Sequence, residues 1–187
     1  MDKRSIHKEV LFPGIVLYSN VLDDITKLEE KLFSNFDAKP WHHDTWPDMR
    51  NPGNLSRSYY EYILYKQDKF GAEILADISP LDELLKEYCA EYDVELWDYE
   101  RSRAMIYDPG CFFDAHKDDT LQVYRRVSTV FYINDDYEGG EISFPFLNIT
   151  IKPKANQFLI FPSAYLFVHK IDEVKKSRRL AIVGFAQ

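Results

Sequence analysis

The spacing of apolar residues changes character near residue 95. Before it, the period is largely helical. Ile25, Leu28, Leu32 and Phe33 follow Asp23 and Asp24 at three- and four-residue steps, which predicts a helix with an acidic cap. Helical spacing resumes near Phe70. The run "SPLDELLKEYCAEY" predicts a further helix, with Ser79 as N-cap, Pro80 at the first position and Asp82 three residues past the cap. Leu81, Leu84, Leu85, Tyr88 and Tyr92 form one stripe on it that must face a core. Between these helices, "KPWHHDTWPDMRNPGNL" carries three prolines and a glycine and reads as a loop.

After Leu96 short extended runs alternate with turn signals such as "NDDYEGGE" and "KPKANQ". Strands are expected near 97–107, 112–118, 127–134, 141–145, 149–152, 157–162, 165–169 and 179–186. Asn156 suits a left-handed turn position. The opening segment holds an apolar patch broken by Pro13-Gly14, which reads as a first strand and not a signal peptide. Helices gathered at one end and strands at the other predict an α+β chain, mainly β: a sandwich or barrel with a helical layer. Residues 1–187 read as one domain, with a helical support region over 1–95 and a β core over 96–187.

Composition narrows the function. A net charge of −8 argues against a nucleic-acid partner, which wants a basic face. No apolar run reaches membrane-spanning length, so no membrane partner is expected. Cys89 and Cys111 do not make a disulfide framework; they read as free thiols of a reducing, cytoplasmic compartment.

The stretch "FFDAHKDDT" places His116 and Asp118 two apart on an expected strand, so both face one side. Asp114 shares that face one step further off. An imidazole and a carboxylate joined by a second imidazole make a facial triad with open positions, the usual cradle of non-haem Fe(II). The chain has five histidines, and His169, on a distant aromatic-rich run, can supply the third ligand. A second H-x-D, His42 and Asp44, sits among prolines and reads as a solvated turn. Arg179 opens the apolar run "RLAIVGFAQ", with small Ala181 on the same face. A buried guanidinium needs an anion, and a dicarboxylate would offer its far end to Arg179 and the Tyr107 hydroxyl. A surface strand-end charge, like Lys175, Lys176 and Arg178, is the competing explanation for Arg179.

Six ordered blocks, "YDPGCFFDAHKD", "RRVSTVFYIND", "YEGGEISFP", "IKPKANQFLIFP", His169 and "SRRLAIVGF", resemble the iron and 2-oxoglutarate dioxygenases, in their prolyl-4-hydroxylase-like branch. The resemblance implies a double-stranded β-helix related to the jelly roll, with the helices packed on the larger sheet. It implies His116, Asp118 and His169 as iron ligands, with no catalytic residue beyond them. It implies Arg179, Tyr107 and Tyr132 around 2-oxoglutarate. The implied cofactors are Fe(II), 2-oxoglutarate and O2, with ascorbate as an optional reductant. The implied reaction is hydroxylation of an unactivated C–H bond with release of succinate and CO2. A prolyl or similar residue in a peptide or protein is the first substrate class, a free amino acid or other small molecule the second. Arg125 or Arg126 is expected to hold substrate, and the loop near 38–60, with Trp41, Trp46, Tyr59 and Tyr60, to form either a lid or a set of core staples. Asn156 and Ser177 stand where the family often has glycine, and Phe185 where tryptophan is frequent. Asp118 keeps the carboxylate that halogenating relatives lack. A non-catalytic β-helix binding module and a nucleic-acid demethylase are the readings from other classes; intact ligands oppose the first and acidic composition the second.

Overall fold

The computed structural model describes residues 5–39, 41–120 and 124–187. In chain order its elements are β1 (His7–Phe12), β2 (Ile15–Ser19), α1 (Thr26–Ala38), β3 (His42–Pro47), β4 (Leu55–Ile63), α2 (Lys69–Ile78), α3 (Leu81–Glu91) and β5 (Tyr99–Tyr107). They continue with β6 (Phe112–His116), β7 (Val127–Tyr132), β8 (Glu138–Gly139), β9 (Ile142–Phe144), β10 (Ile149–Ile151), β11 (Gln157–Pro162), β12 (His169–Ile171), β13 (Val174–Lys176) and β14 (Arg179–Ala186).

Among the described residues, twelve strands form one antiparallel sheet in the order β1-β2-β11-β7-β14-β5-β4-β6-β12-β9-β10, with β3 added to β4. The sheet curls over on itself because alternate residues of its central strands bury on opposite sides. Tyr18, Ile106, Phe131, Phe158, Ile160 and Ile182 point outward and meet Leu28 and Leu32 of α1, Ile74 of α2 and Leu85 of α3. Their neighbours Leu17, Met105, Val130, Leu159, Phe161 and Ala181 point inward and meet Tyr59, Ile142, Phe144 and Ile171 from the other half of the same sheet. Phe144 and Phe161 touch edge to face at 5.1 Å, joining the two halves. Each buried aromatic or branched side chain contributes about 1.5–3 kcal/mol by leaving water, so these strands are apolar on both faces except where a hydroxyl finds a partner, as Ser128 and Thr129 do. The 127–132 run is accordingly buried throughout.

Local chemistry sets the element ends. Asp68 caps α2 by accepting the Gly71 N–H at 2.8 Å. Asp24 accepts the Thr26 N–H at 2.9 Å just before α1, but the N-cap position is Ile25, which makes no side-chain cap bond, so neither Asp23 nor Asp24 occupies it. Ser79 departs from expectation: it closes α2, donating its hydroxyl to the Ala76 carbonyl at 2.9 Å, and α3 starts after Pro80 without a side-chain cap. Two helices abut here, and the earlier one takes the serine. Asn156 does adopt the left-handed conformation, with φ of 64°, and its amide brackets Leu22 through bonds of 2.9 and 2.7 Å. Ser177 is left-handed as well, with φ of 59°. Both positions therefore keep the backbone a glycine would allow.

The segment expected as a loop near 38–60 is largely a hairpin. His42–Pro47 pairs with Leu55–Glu61; Pro47 ends β3, Pro52 and Gly53 fall in the turn, and Pro40 lies outside the described residues. β3 is an exposed edge strand with no apolar face, so it lacks the alternation by which strands are recognised. Trp41 and Tyr59 are core residues, while Trp46 is 55% exposed. The strand expected over 112–118 ends at His116, and the run 165–169 is a 3-10 turn, Tyr165–Phe167, that precedes β12.

Candidate active site

The curl brings β6 against β12, and there His169 lies directly opposite His116. Asp118 arrives differently from the sequence expectation, from the bend two residues past the end of β6. Its carboxylate stands 3.6 Å from Nε2 of His116 and 3.6 Å from Nε2 of His169. One ligand atom from each of the three residues lies within 4.8 Å of the others. Nδ1 of His116 meets the Asp114 carbonyl at 2.8 Å, and Nδ1 of His169 meets the Phe167 carbonyl at 3.1 Å. A carbonyl only accepts, so each Nδ1 carries the proton and each Nε2 keeps its lone pair for the shared centre. Asp114 thus serves through its backbone and not as a carboxylate.

Electrostatics favour the ligand forms. Burial, reinforced by the facing His169, pushes the His116 imidazolium down to about 4, so the ring is neutral near pH 7. Burial alone would raise the Asp118 carboxyl. The neighbouring His169 and His116 and the Ser128 hydroxyl outweigh it and hold the acid below its usual range. Ser128 donates to Asp118 Oδ2 at 2.6 Å and touches Ser163 at 2.7 Å, a wholly buried chain that fixes the carboxylate. Two imidazole Nε2 atoms and one carboxylate on one side of a point suit a borderline divalent ion such as Fe(II) and leave its other positions open.

The triad lies in a cavity of about 240 Å³ that Arg179, Tyr107 and Met105 also line. Arg179 is 2% exposed. It sits opposite Tyr107 across β14 and β5, with its guanidinium carbon 5.0 Å from the Tyr107 ring and 5.3 Å from the Tyr132 ring. Arg178, one residue earlier, faces the other way and pairs with Asp108 and Asp37 at 3.1 and 2.8 Å. Arg179 Nε and Nη2 and the hydroxyls of Tyr132 and Tyr137 have no hydrogen-bond partner among the described residues. A buried guanidinium with orphaned donors costs several kcal/mol unless an anion completes it. A carboxylate of a small diacid fits that need. A larger cavity of about 740 Å³ lies between the helices and the outer sheet face, against Leu75, Ile78, Leu85 and Phe158, but gathers no such set of ligands.

Residues 102–187 match the profile of the 2OG-Fe(II) oxygenase superfamily. Over those residues the chain is similar to that superfamily. It is 30% identical over 87 residues to human prolyl 3-hydroxylase 2, covering 41% of this chain and 12% of that protein. It is 34% identical over 84 residues to a PKHD-type hydroxylase of Prochlorococcus marinus, covering 42% of this chain and 37% of the relative. The chain thus spans well under half the length of these curated relatives. Among solved structures, a Trichoplax adhaerens prolyl hydroxylase, in complex with a hypoxia inducible factor peptide fragment, superposes with a TM-score of 0.74 at 18% identity over 92% of this chain and 83% of that one. The shared fold is the double-stranded β-helix.

Within this fold the remaining expected residues separate. Arg125 lines the cavity, and its Nη1 lies 3.4 Å from the Asp118 carbonyl. Arg126 faces away, toward the Glu95 carbonyl and the Trp97 ring. Tyr132 packs on the Arg179 guanidinium but does not line the cavity. His42 is exposed on β3, and Asp44 is taken up by Arg57 at 3.0 Å and by the Tyr59 hydroxyl at 2.8 Å, so this H-x-D belongs to a strand pairing and not to a solvated turn.

Ser128 and Tyr137 carry no sequence signal as site residues, while Tyr59, expected in a lid or as a core staple, lines the cavity. Gly140 has φ of +67°, and a Cβ there would stand 2.8 Å from Cδ of Arg179 and 3.1 Å from Tyr137. The "GGE" turn therefore makes room for the arginine as well as ending a strand. Gly140→Ala is expected to displace Arg179 and to weaken 2-oxoglutarate binding by about tenfold, read by calorimetry with Mn2+ present, while Mn2+ binding alone is kept.

Proposed function

We propose that this chain is a non-haem Fe(II)- and 2-oxoglutarate-dependent hydroxylase acting on a prolyl or similar residue in a peptide or protein. The observation that carries the reading is the meeting, in one cavity, of the His116, Asp118 and His169 ligand atoms with the buried, anion-seeking Arg179. His116, Asp118 and His169 hold one face of the metal. Arg179 takes the distal carboxylate of 2-oxoglutarate, with the Tyr107 ring beside it. The bound iron and co-substrate supply oxygen activation, with succinate and CO2 as the by-products. No side-chain acid or base is required. The chain's part is to orient both imidazoles through the Asp114 and Phe167 carbonyls, to aim the carboxylate through Ser128, and to exclude water with Phe113, Phe144 and Phe161 packed around the two rings. Arg125, at the same cavity, lies where it can hold the substrate backbone.

The names of the sequence relatives and the peptide bound to the Trichoplax enzyme support a peptidyl substrate. Incubation with Fe2+, 2-oxoglutarate and proline-containing peptides should give a mass gain of about 16 Da on the peptide, matched by succinate. A gain confined to free amino acids would move the substrate to the small-molecule class. Absence of Fe2+-dependent succinate under all conditions would remove the reading.

A further inference from the structure

The metal triad and Arg179 account for both ends of 2-oxoglutarate, one chelating and one held by the guanidinium. That uses a single cation of the cavity. Four others line it, Arg57, Arg103, Lys117 and Arg125, against one carboxylate, Asp118, among the described lining residues. The chain as a whole carries 31 acidic and 23 basic residues, so the cavity reverses the balance of the molecule.

Two of these guanidiniums are held by aromatic faces. The Arg125 carbon stands 3.7 Å over the Phe185 ring. The Arg57 carbon lies 5.2 Å from the Trp46 ring and 5.4 Å from the Phe113 ring. A ring that takes the face of a guanidinium leaves hydrogen bonding to run along its edge, the geometry of a fork for a planar carboxylate. The carboxylates that steady Arg57, Arg103 and Lys117, namely Asp44 at 3.0 Å, Glu61 at 3.2 Å and Asp119 at 3.8 Å, do not line the cavity and hold those side chains from outside it. Phe185, where the family often has tryptophan, is the seat of the Arg125 stack.

We infer that this cationic mouth recognises a carboxylate carried by the substrate close to the carbon that is hydroxylated. The inference rests on the oxygenase reading above. The carboxylate can come from an acidic residue beside the target in a peptide or from the α-carboxylate of a free amino acid; its chemistry at the mouth is the same.

The test is calorimetry on the protein loaded with Mn2+ and 2-oxoglutarate under nitrogen. The probes are acetyl-Ala-Glu-Pro-Ala-amide, acetyl-Ala-Pro-Glu-Ala-amide, their Gln counterparts, and L-proline against L-prolinamide. At least one acidic member should bind about tenfold tighter than its neutral partner, with the gap narrowing as salt rises. The pair that shows the gap identifies the source of the carboxylate. The Arg57→Gln/Arg125→Gln double variant should lose the gap. Lys117→Gln, whose side chain is exposed, should narrow it without disturbing packing. Neutral members within about threefold of every acidic partner, failure of all acidic probes to bind, or a gap untouched in all these variants would overturn the inference. Succinate release with Fe2+ in the same preparation separates the two claims: succinate without carboxylate preference removes this inference alone, and no succinate removes the oxygenase reading beneath it.

Discussion

Alanine at His116 or at His169 should abolish Fe2+-dependent succinate formation, while alanine at His42 should leave it within about twofold of the parent. The reason is the ligand count. In the proposed site three protein atoms hold the metal, and loss of one would leave two. Loss of an outer hydrogen-bond partner alone typically lowers metal affinity 10–100-fold, so loss of a ligand should exceed about 100-fold. Mn2+ titration reads this without oxidation chemistry. A thermal melt gives an independent check, because a ligand that binds only the folded state raises the midpoint. The parent should gain stability on adding Mn2+ and 2-oxoglutarate, and His116→Ala and His169→Ala should not. His42 lies exposed on β3, outside the cavity, and serves as the matched control. Iron-dependent turnover that survived His116→Ala and vanished in His42→Ala would transfer the site to the other H-x-D.

The second large effect concerns Arg179. Arg179→Ala should raise the 2-oxoglutarate KM by about 100-fold, the equivalent of two charge-assisted hydrogen bonds at about 1.5 kcal/mol each. Mn2+ binding should change by less than about threefold, since the guanidinium is not a ligand. Stability without co-substrate should fall little or even rise, because the parent holds a buried cation whose Nε and Nη2 lack partners among the described residues. That combination separates an anion anchor from a merely structural arginine, whose loss would lower stability and leave the co-substrate requirement alone. An unchanged requirement for 2-oxoglutarate would take Arg179 out of the site.

Much of this arrangement could be read from the chain because it is written in periodic or strongly constrained signals. The stripe Leu81, Leu84, Leu85, Tyr88 buries as one helix face. The runs 157–162 and 179–186 are strands with those bounds. His116, Asp118, His169 and Arg179 are brought into one cavity. What escaped has a common cause. β3 is paired on one side and wet on nearly all faces, so its partner is visible only in three dimensions. Asp118 reaches its place through a bend, although strand alternation led to the same side. Ser128 lies on a strand buried on every residue, where a hydroxyl looks like a small core residue until its acceptor is known. The split between Arg125 and Arg126 depends on which of two adjacent side chains a strand start turns inward, which the sequence left even.

Adjacent arginines at 178 and 179 give the last strand a particular vulnerability. Their opposite orientations hold only while β14 keeps its register, since a slip of one residue exchanges the two faces. The Asn134 side chain clamps that point, accepting the Leu180 N–H at 2.8 Å and donating to the Arg178 carbonyl at 2.7 Å. An alignment error here would expel the Arg179 guanidinium into solvent and strand Arg178, stripped of Asp37 and Asp108, inside the curled sheet. The amide of one buried asparagine thus acts as a proofreading device for the assembly of the whole centre.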